Sequence, residues 1–248
     1  MIDNLMIFCE LCWYGAMLKE CVGVAVEVDL GAVAANARVL AEACGNKVFA
    51  VVKADAYGHG AVEVARRLAD DGCVFGFAVS LVEEGVELRE AGIRQPILVM
   101  GPSMQGGEGD LLRHSMWPMV SSMTTLQSLA VEAREAKQAL MVHLKLDTGM
   151  GRLGLGEDEL VAALDLVDHV PQLRLGGVST HFACADSDDP DDPSSMTRAQ
   201  LGRFTRWLQA AEVGPGVLRH AANSAACLHF PDAHFDAVRP GLALYAAG

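Results

Sequence analysis

The chain has 248 residues, 51% of them hydrophobic, enough to bury one large core, and an α/β barrel of about 250 residues is an ordinary size for one domain. A formal charge of −13, with no cluster of Lys or Arg to relieve it locally, excludes nucleic acid and anionic membrane surfaces as partners. The seven cysteines, an odd number without framework spacing, suit free thiols in a reducing compartment. In chain order, residues 1–22 come first, an extension of unknown role ahead of a domain spanning 23–248. Its apolar stretch LMIFCELCWYGAML contains Glu10 and lacks a basic leader, so it is too short to span a bilayer and poorly formed as a signal peptide; a cytoplasmic protein is expected. Cys9 and Cys12 form a lone CxxC with no second ligand pair, which points to simple burial rather than a metal or redox site.

From residue 30 onward, short apolar runs alternate with segments of helical period, the pattern of βα units around a parallel sheet. Strands are predicted at 47–54, 74–79, 96–101, 116–122, 140–148, 173–182, 217–223 and 237–245. Helices are predicted at 81–92, where Leu81, Val82, Val86 and Leu88 share a face and Gly92 offers a C-cap, and at 122–137 and 157–170. The acidic run 186–195 lacks the glycine and glutamate of a calcium loop and reads as a solvated turn, so no metal site is expected. Eight strands alternating with helices give a (β/α)8 TIM-type barrel, a fold that gathers its reactive groups at the carboxyl ends of the strands.

Polar residues do fall at those ends. Lys53 closes the first strand, Arg152 follows the fifth in KLDTGMGRLG, His181 ends the sixth in GGVSTHFACAD, Asn223 and Ser224 end the seventh, and Arg239 lies in the eighth. Each alone has a bland structural role; together at one rim they suggest a site. Burial disfavours an ammonium, and the neutral amine of a lysine is a nucleophile that forms an imine with an aldehyde cofactor, commonly pyridoxal phosphate. Ser224, at the head of a short helix, and the Tyr57 hydroxyl are candidate donors to its phosphate. Arg239 is a candidate partner for its pyridine nitrogen; a guanidinium only donates hydrogen bonds, which leaves that ring a weaker electron sink and favours prompt return of a proton to Cα over transamination.

AVVKADAYGHG, KLDTGMGRLG, STHFACAD, HAANSAA and VRPGLALYA, in this order, resemble the barrel domain of bacterial alanine racemases, and VAVEVDLGAVAANARVL resembles its start, so the likeness covers roughly residues 24–246. The resemblance implies a PLP-binding barrel that interconverts L- and D-alanine for cell-wall precursor synthesis, with pyridoxal 5'-phosphate as cofactor, an amino acid as substrate and a homodimer as the family's assembly. Lys53 is then the cofactor-linked lysine and one of two bases. Tyr57, Ser224, Gly241 and Leu242 contact the phosphate, Arg239 meets the pyridine nitrogen, Arg152 the phenolic oxygen, and His181 and Asn223 lie beside the ring. Met150 sits near the substrate carboxylate, and Lys145 matches a lysine carbamylated in some members. The family continues into a β-rich domain that supplies a second catalytic tyrosine, which these 248 residues do not match; a weak or inactive racemase is expected from them.

Two other functions compete. GMGRLG, 149–154, fits a GxGxxG dinucleotide pattern, but at the fifth strand rather than at the opening of a βαβ pair. A standalone pyridoxal-phosphate carrier without racemase activity would also suit a single barrel of this length.

Overall fold

The computed structural model describes residues 26–102 and 106–245 and the backbone of 4–7. The pair Cys9 and Cys12 and the rest of the N-terminal extension lie outside the described residues. β1 (Asn4–Ile7) pairs antiparallel with β2 (Val26–Asp29), apart from the barrel. Asp29 then starts α1 (Leu30–Cys44): its carboxylate accepts the Ala32 amide, and Gly45, at φ 63°, ends the helix in the left-handed cap that glycine adopts without a steric cost.

Eight parallel strands close into a barrel: β3 (Lys47–Val51), β4 (Gly76–Val79), β5 (Ile97–Val99), β6 (Trp117–Val120), β7 (Leu140–Lys145), β8 (Leu173–Ser179), β9 (Leu218–His220) and β10 (Ala237–Val238), with β10 sealing β9 to β3. The connections carry α2 (Lys53–Gly58), α3 (Ala61–Asp71), α4 (Val82–Glu90), α5 (Glu108–Arg113), α6 (Met123–Ala136), α7 (Glu157–His169), α8 (Met196–Ala210), α9 (Ser224–His229) and α10 (Leu242–Tyr245). The helices predicted from periodicity are α4, α6 and α7. Alternation along the strands divides the core in two. Val48, Ala50, Phe77 and Ile97 face the helices, while Phe49, Ala78, Leu98 and Met119 fill the barrel interior.

Every strand but β4 stops two or more residues before its predicted end. Hydrophobicity marks burial, and several mouth residues, among them Val52, Leu146, Phe182 and Ala222, stay buried after they leave the ladder. The largest departure is 237–245. Pro240 has no amide hydrogen to offer a ladder, although its carbonyl still accepts from Val51, so the strand shrinks to Ala237–Val238 and the chain turns into α10. Arg239 therefore lies one residue past its strand rather than within it. Lys53, likewise, does not end a strand: β3 finishes at Val51 and Lys53 opens α2.

That short element is left-handed. Ala54, Asp55, Ala56 and Tyr57 have φ between 50° and 55° and ψ between 35° and 52°. Each such non-glycine residue costs about 1–2 kcal/mol, so the surroundings must hold the turn in place. Glu84 of α4 accepts the Ala54 amide at 2.7 Å, Asp55 accepts the Ala61 amide at 2.7 Å, and the His59 ring donates to the Ala56 carbonyl at 2.9 Å. Among the described residues, no helix is long and apolar enough to cross a membrane.

Candidate active site

A cavity of about 330 Å³ opens at the carboxyl ends of the strands. Lys53, Tyr57, Met150, His181, Asn223, Ser224, Arg239, Gly241 and Leu242, all singled out from the sequence, line it together. An adjoining cavity of about 240 Å³ shares Lys53, His181 and Arg239 and adds Lys145 and Arg152. The structure thus brings every candidate residue to one mouth. Lys53, Lys145, Arg152 and Arg239 face these two cavities against one lining carboxylate, Asp186. Such a space favours an anionic ligand.

The left-handed turn aims Lys53 and Tyr57 at the same space, with the Lys53 Nζ 5.8 Å from the centre of the Tyr57 ring. Behind them, Tyr245 packs 5.4 Å from Tyr57 and stacks on His59 at 4.8 Å, while its hydroxyl donates to the Val51 carbonyl at 2.8 Å. Burial raises both tyrosine hydroxyls above their ordinary pKa, so neither serves as a base near neutrality.

Across the cavity, Asn223 caps α9 by accepting the Ala226 amide, which leaves its own amide hydrogens free for other partners. Ser224 Oγ accepts from the Gly241 amide at 2.8 Å and the Ala243 amide at 3.1 Å. Both its lone pairs are engaged, so its hydrogen is left to donate into the cavity. A Cβ on Gly241 would lie 2.5 Å from the Tyr57 hydroxyl: glycine is what lets the two phosphate-donor candidates share one wall. Gly241→Ala should displace that hydroxyl and weaken pyridoxal-phosphate binding about tenfold or more, the equivalent of one charge-assisted hydrogen bond, with the fold intact; titration by fluorescence measures it.

The KLDTGMGRLG loop is organised by Asp147, whose carboxylate accepts from the amides of Gly149 and Gly151 at 3.0 Å and Arg152 at 3.1 Å. Partial burial works against ionisation there, but these amides together hold the carboxyl below its ordinary range. The same bonds weigh against a dinucleotide site, since the glycine amides that would cradle a pyrophosphate already serve Asp147. Lys145, the buried last residue of β7, is pushed down to about 8 by burial first and then by Arg152 and Arg239. Much of it is neutral in mildly alkaline solution, the form that carbamylation requires. His181 is pushed down to about 3 by burial, Arg239 and Lys145, and stays neutral.

Arg239 is buried without a carboxylate partner among the described residues. Nη1 donates to the His220 carbonyl at 2.8 Å and contacts His220 Nδ1 at 2.6 Å; Nη2 donates to the carbonyls of Thr180 at 2.7 Å and Ala221 at 3.2 Å. Those four bonds consume both terminal nitrogens. Nε–H remains, on a side chain lining both cavities. No motif in the sequence singled out His220, His143 or Glu84. A signal for the first two existed: His143 lies two residues before Lys145 on the same strand, and His220 ends β9.

A family model described as "Alanine racemase, N-terminal domain" matches residues 28–247. An alanine racemase of Sorangium cellulosum (strain So ce56) is 43% identical over 231 residues, covering 88% of this chain and 59% of that protein. One from Syntrophobacter fumaroxidans is 41% identical over 223 residues, covering 89% and 58%. The crystal structure of alanine racemase from D-cycloserine producing Streptomyces lavendulae superposes with a TM-score of 0.81 at 37% identity, over 88% of this chain and 58% of that one. The chain therefore spans less than two thirds of the length of the relatives it matches.

Proposed function

This chain belongs to the alanine racemase family, and from that membership we propose that its barrel mouth holds pyridoxal 5'-phosphate and moves the Cα proton of alanine. The observation that carries the proposal is the convergence on one cavity of an amine, two hydroxyl donors and a guanidinium whose one uncommitted hydrogen is Nε–H. Their chemistry fits the cofactor: Ser224 and Tyr57 suit a phosphate, Arg239 a pyridine nitrogen, and Lys53 an aldehyde. When bound, pyridoxal phosphate supplies a conjugated, electron-withdrawing ring that acidifies Cα–H of an amino acid joined to it.

The chain's own residues do the rest. Lys53 would hold the cofactor through its aldehyde, and its amine, when free, would stand as a base on one face of Cα. Arg239 would donate to the pyridine nitrogen without protonating it. Arg152 would meet the phenolic oxygen, neutral His181 and Asn223 would lie beside the ring, and Met150 would border the substrate carboxylate. The second face needs its own acid/base. Tyr57 is a candidate phosphate donor and the Tyr245 hydroxyl is committed to the Val51 carbonyl, and the resemblance assigns the role to a tyrosine outside these residues.

A direct test incubates L-alanine and D-alanine separately with pyridoxal phosphate and the 248-residue chain in D2O. We expect deuterium to enter Cα of the one enantiomer whose proton faces Lys53 faster than the opposite enantiomer accumulates, because one base removes the proton and returns a deuteron on the same face. No exchange at all would leave the chain a cofactor carrier and overturn the proposal. Inversion as fast as exchange would refute the single-base account.

A further inference from the structure

We infer that His220 is a positioning residue for Arg239, and that His220 and His143 form a buried relay locked in one pair of tautomers. The inference deepens the reading of Arg239 given above and rests on it for its functional meaning.

The chain of bonds has a fixed direction. A guanidinium has hydrogens and no lone pair, so in the 2.6 Å contact between Arg239 Nη1 and His220 Nδ1 the histidine nitrogen must accept. His220 then carries its proton on Nε2, which lies 2.8 Å from His143 Nδ1 and donates to it. His143 in turn must be the Nε2–H tautomer. Its Nε2 is buried and has no hydrogen-bond partner among the described residues.

The packing leaves no alternative arrangement. Trp117 stacks on the His143 ring at 5.4 Å, and Phe49 lies 6.0 Å from His220 and 6.4 Å from His143. On the remaining side, the strand register shifts between Val142 and His143 so that Gly176 falls between paired residues, and a Cβ there would lie 2.8 Å from His143 Nε2. No carboxylate bonds either ring among the described residues. Burial and the Arg239 charge hold both imidazoles neutral, His143 down to about 3.

Two consequences follow for Arg239. The His220 lone pair and the three carbonyls fix the plane of the guanidinium, so its Nε–H has one direction. Behind it stands a lone pair rather than a proton, so the relay offers no acid that could pass a proton toward a pyridine nitrogen in the cavity.

The test begins with the full chain without cofactor, labelled with ¹⁵N-histidine, read by long-range ¹H–¹⁵N correlation. Both histidines should show the neutral Nε2–H tautomer from pH 6 to pH 8. An Nδ1–H tautomer or an imidazolium at His220 would overturn the inference whether or not pyridoxal phosphate ever binds. The second arm compares His220→Ala with His220→Asn, whose side-chain oxygen sits near the lost Nδ1. With pyridoxal phosphate, His220→Ala should bind about tenfold more weakly and shift the absorption band of the bound cofactor, and His220→Asn should restore the band. If His220→Ala keeps both affinity and band, His220 does not position Arg239. Should that variant fail to fold, the tautomer measurement on the unaltered chain still decides.

Discussion

Lys53→Ala should abolish covalent capture of pyridoxal phosphate and lower Cα exchange of alanine by about 10²–10⁴, the range expected for loss of a positioned base. The Lys53 side chain makes no hydrogen bond or ion pair among the described residues, and its amine lies only in loose contact with the Tyr57 ring at 5.8 Å. The substitution should therefore leave the thermal midpoint close to that of the parent. The phosphate cradle of Ser224, Tyr57 and Gly241 stays intact, so some non-covalent binding should persist. Lys53→Arg is the sharper control: it keeps the charge and the length but cannot form the link. If Lys53→Arg still yielded a covalent adduct, the attachment point would lie elsewhere.

Arg239→Ala should damage the empty barrel as well as the site. The guanidinium satisfies three carbonyls, those of Thr180, His220 and Ala221, together with the Nδ1 lone pair of His220, all inside the mouth. Each acceptor left without a donor costs about 1–3 kcal/mol, reduced where water enters the vacated space; the His220 carbonyl keeps the Thr180 amide at 3.3 Å, so the loss falls mainly on the Thr180 and Ala221 carbonyls and the His220 nitrogen. Opposing this is the desolvation of a cation with no carboxylate beside it, which pulls its pKa down to about 10 yet leaves it protonated at neutrality. Balancing the two, we expect a net loss of about 2–4 kcal/mol, a drop in midpoint of roughly 5–15 °C for a chain of this size. Calorimetry on the cofactor-free chain measures it. An unchanged midpoint would mean that the guanidinium is not the hub of these bonds.

Much of the architecture was legible in the sequence because a parallel barrel writes each buried strand as a short apolar run between helical segments. Where those runs end was less legible, since apolar residues such as Val52, Leu146 and Phe182 stay buried beyond the last ladder pair. Lys53, Arg152, His181, Asn223, Ser224 and Arg239 could be named because charged or polar groups at the end of an apolar run are costly and therefore few, whereas Lys145, Met150, Gly241 and Leu242 came only from the family resemblance. Their precise setting was hidden. ADAY contains no glycine, and nothing in its propensities points to four left-handed residues; the turn exists because Glu84, Asp55 and His59 hold it. The pairing of His143 with His220 was equally hidden, since the two lie 77 residues apart and meet only when the barrel closes. β1 pairing with β2 had no readable signal in the apolar N-terminal stretch.

The proposed chemistry requires one amine at the barrel mouth to take the cofactor aldehyde. Incubating the purified chain with pyridoxal phosphate, reducing with borohydride and mapping the modified peptide by mass spectrometry tests that directly. The expected result is a single reduced adduct on Lys53, in the peptide carrying AVVKADAYGHG. An adduct on Lys145 or a surface lysine in its place, or no adduct at all, would contradict it.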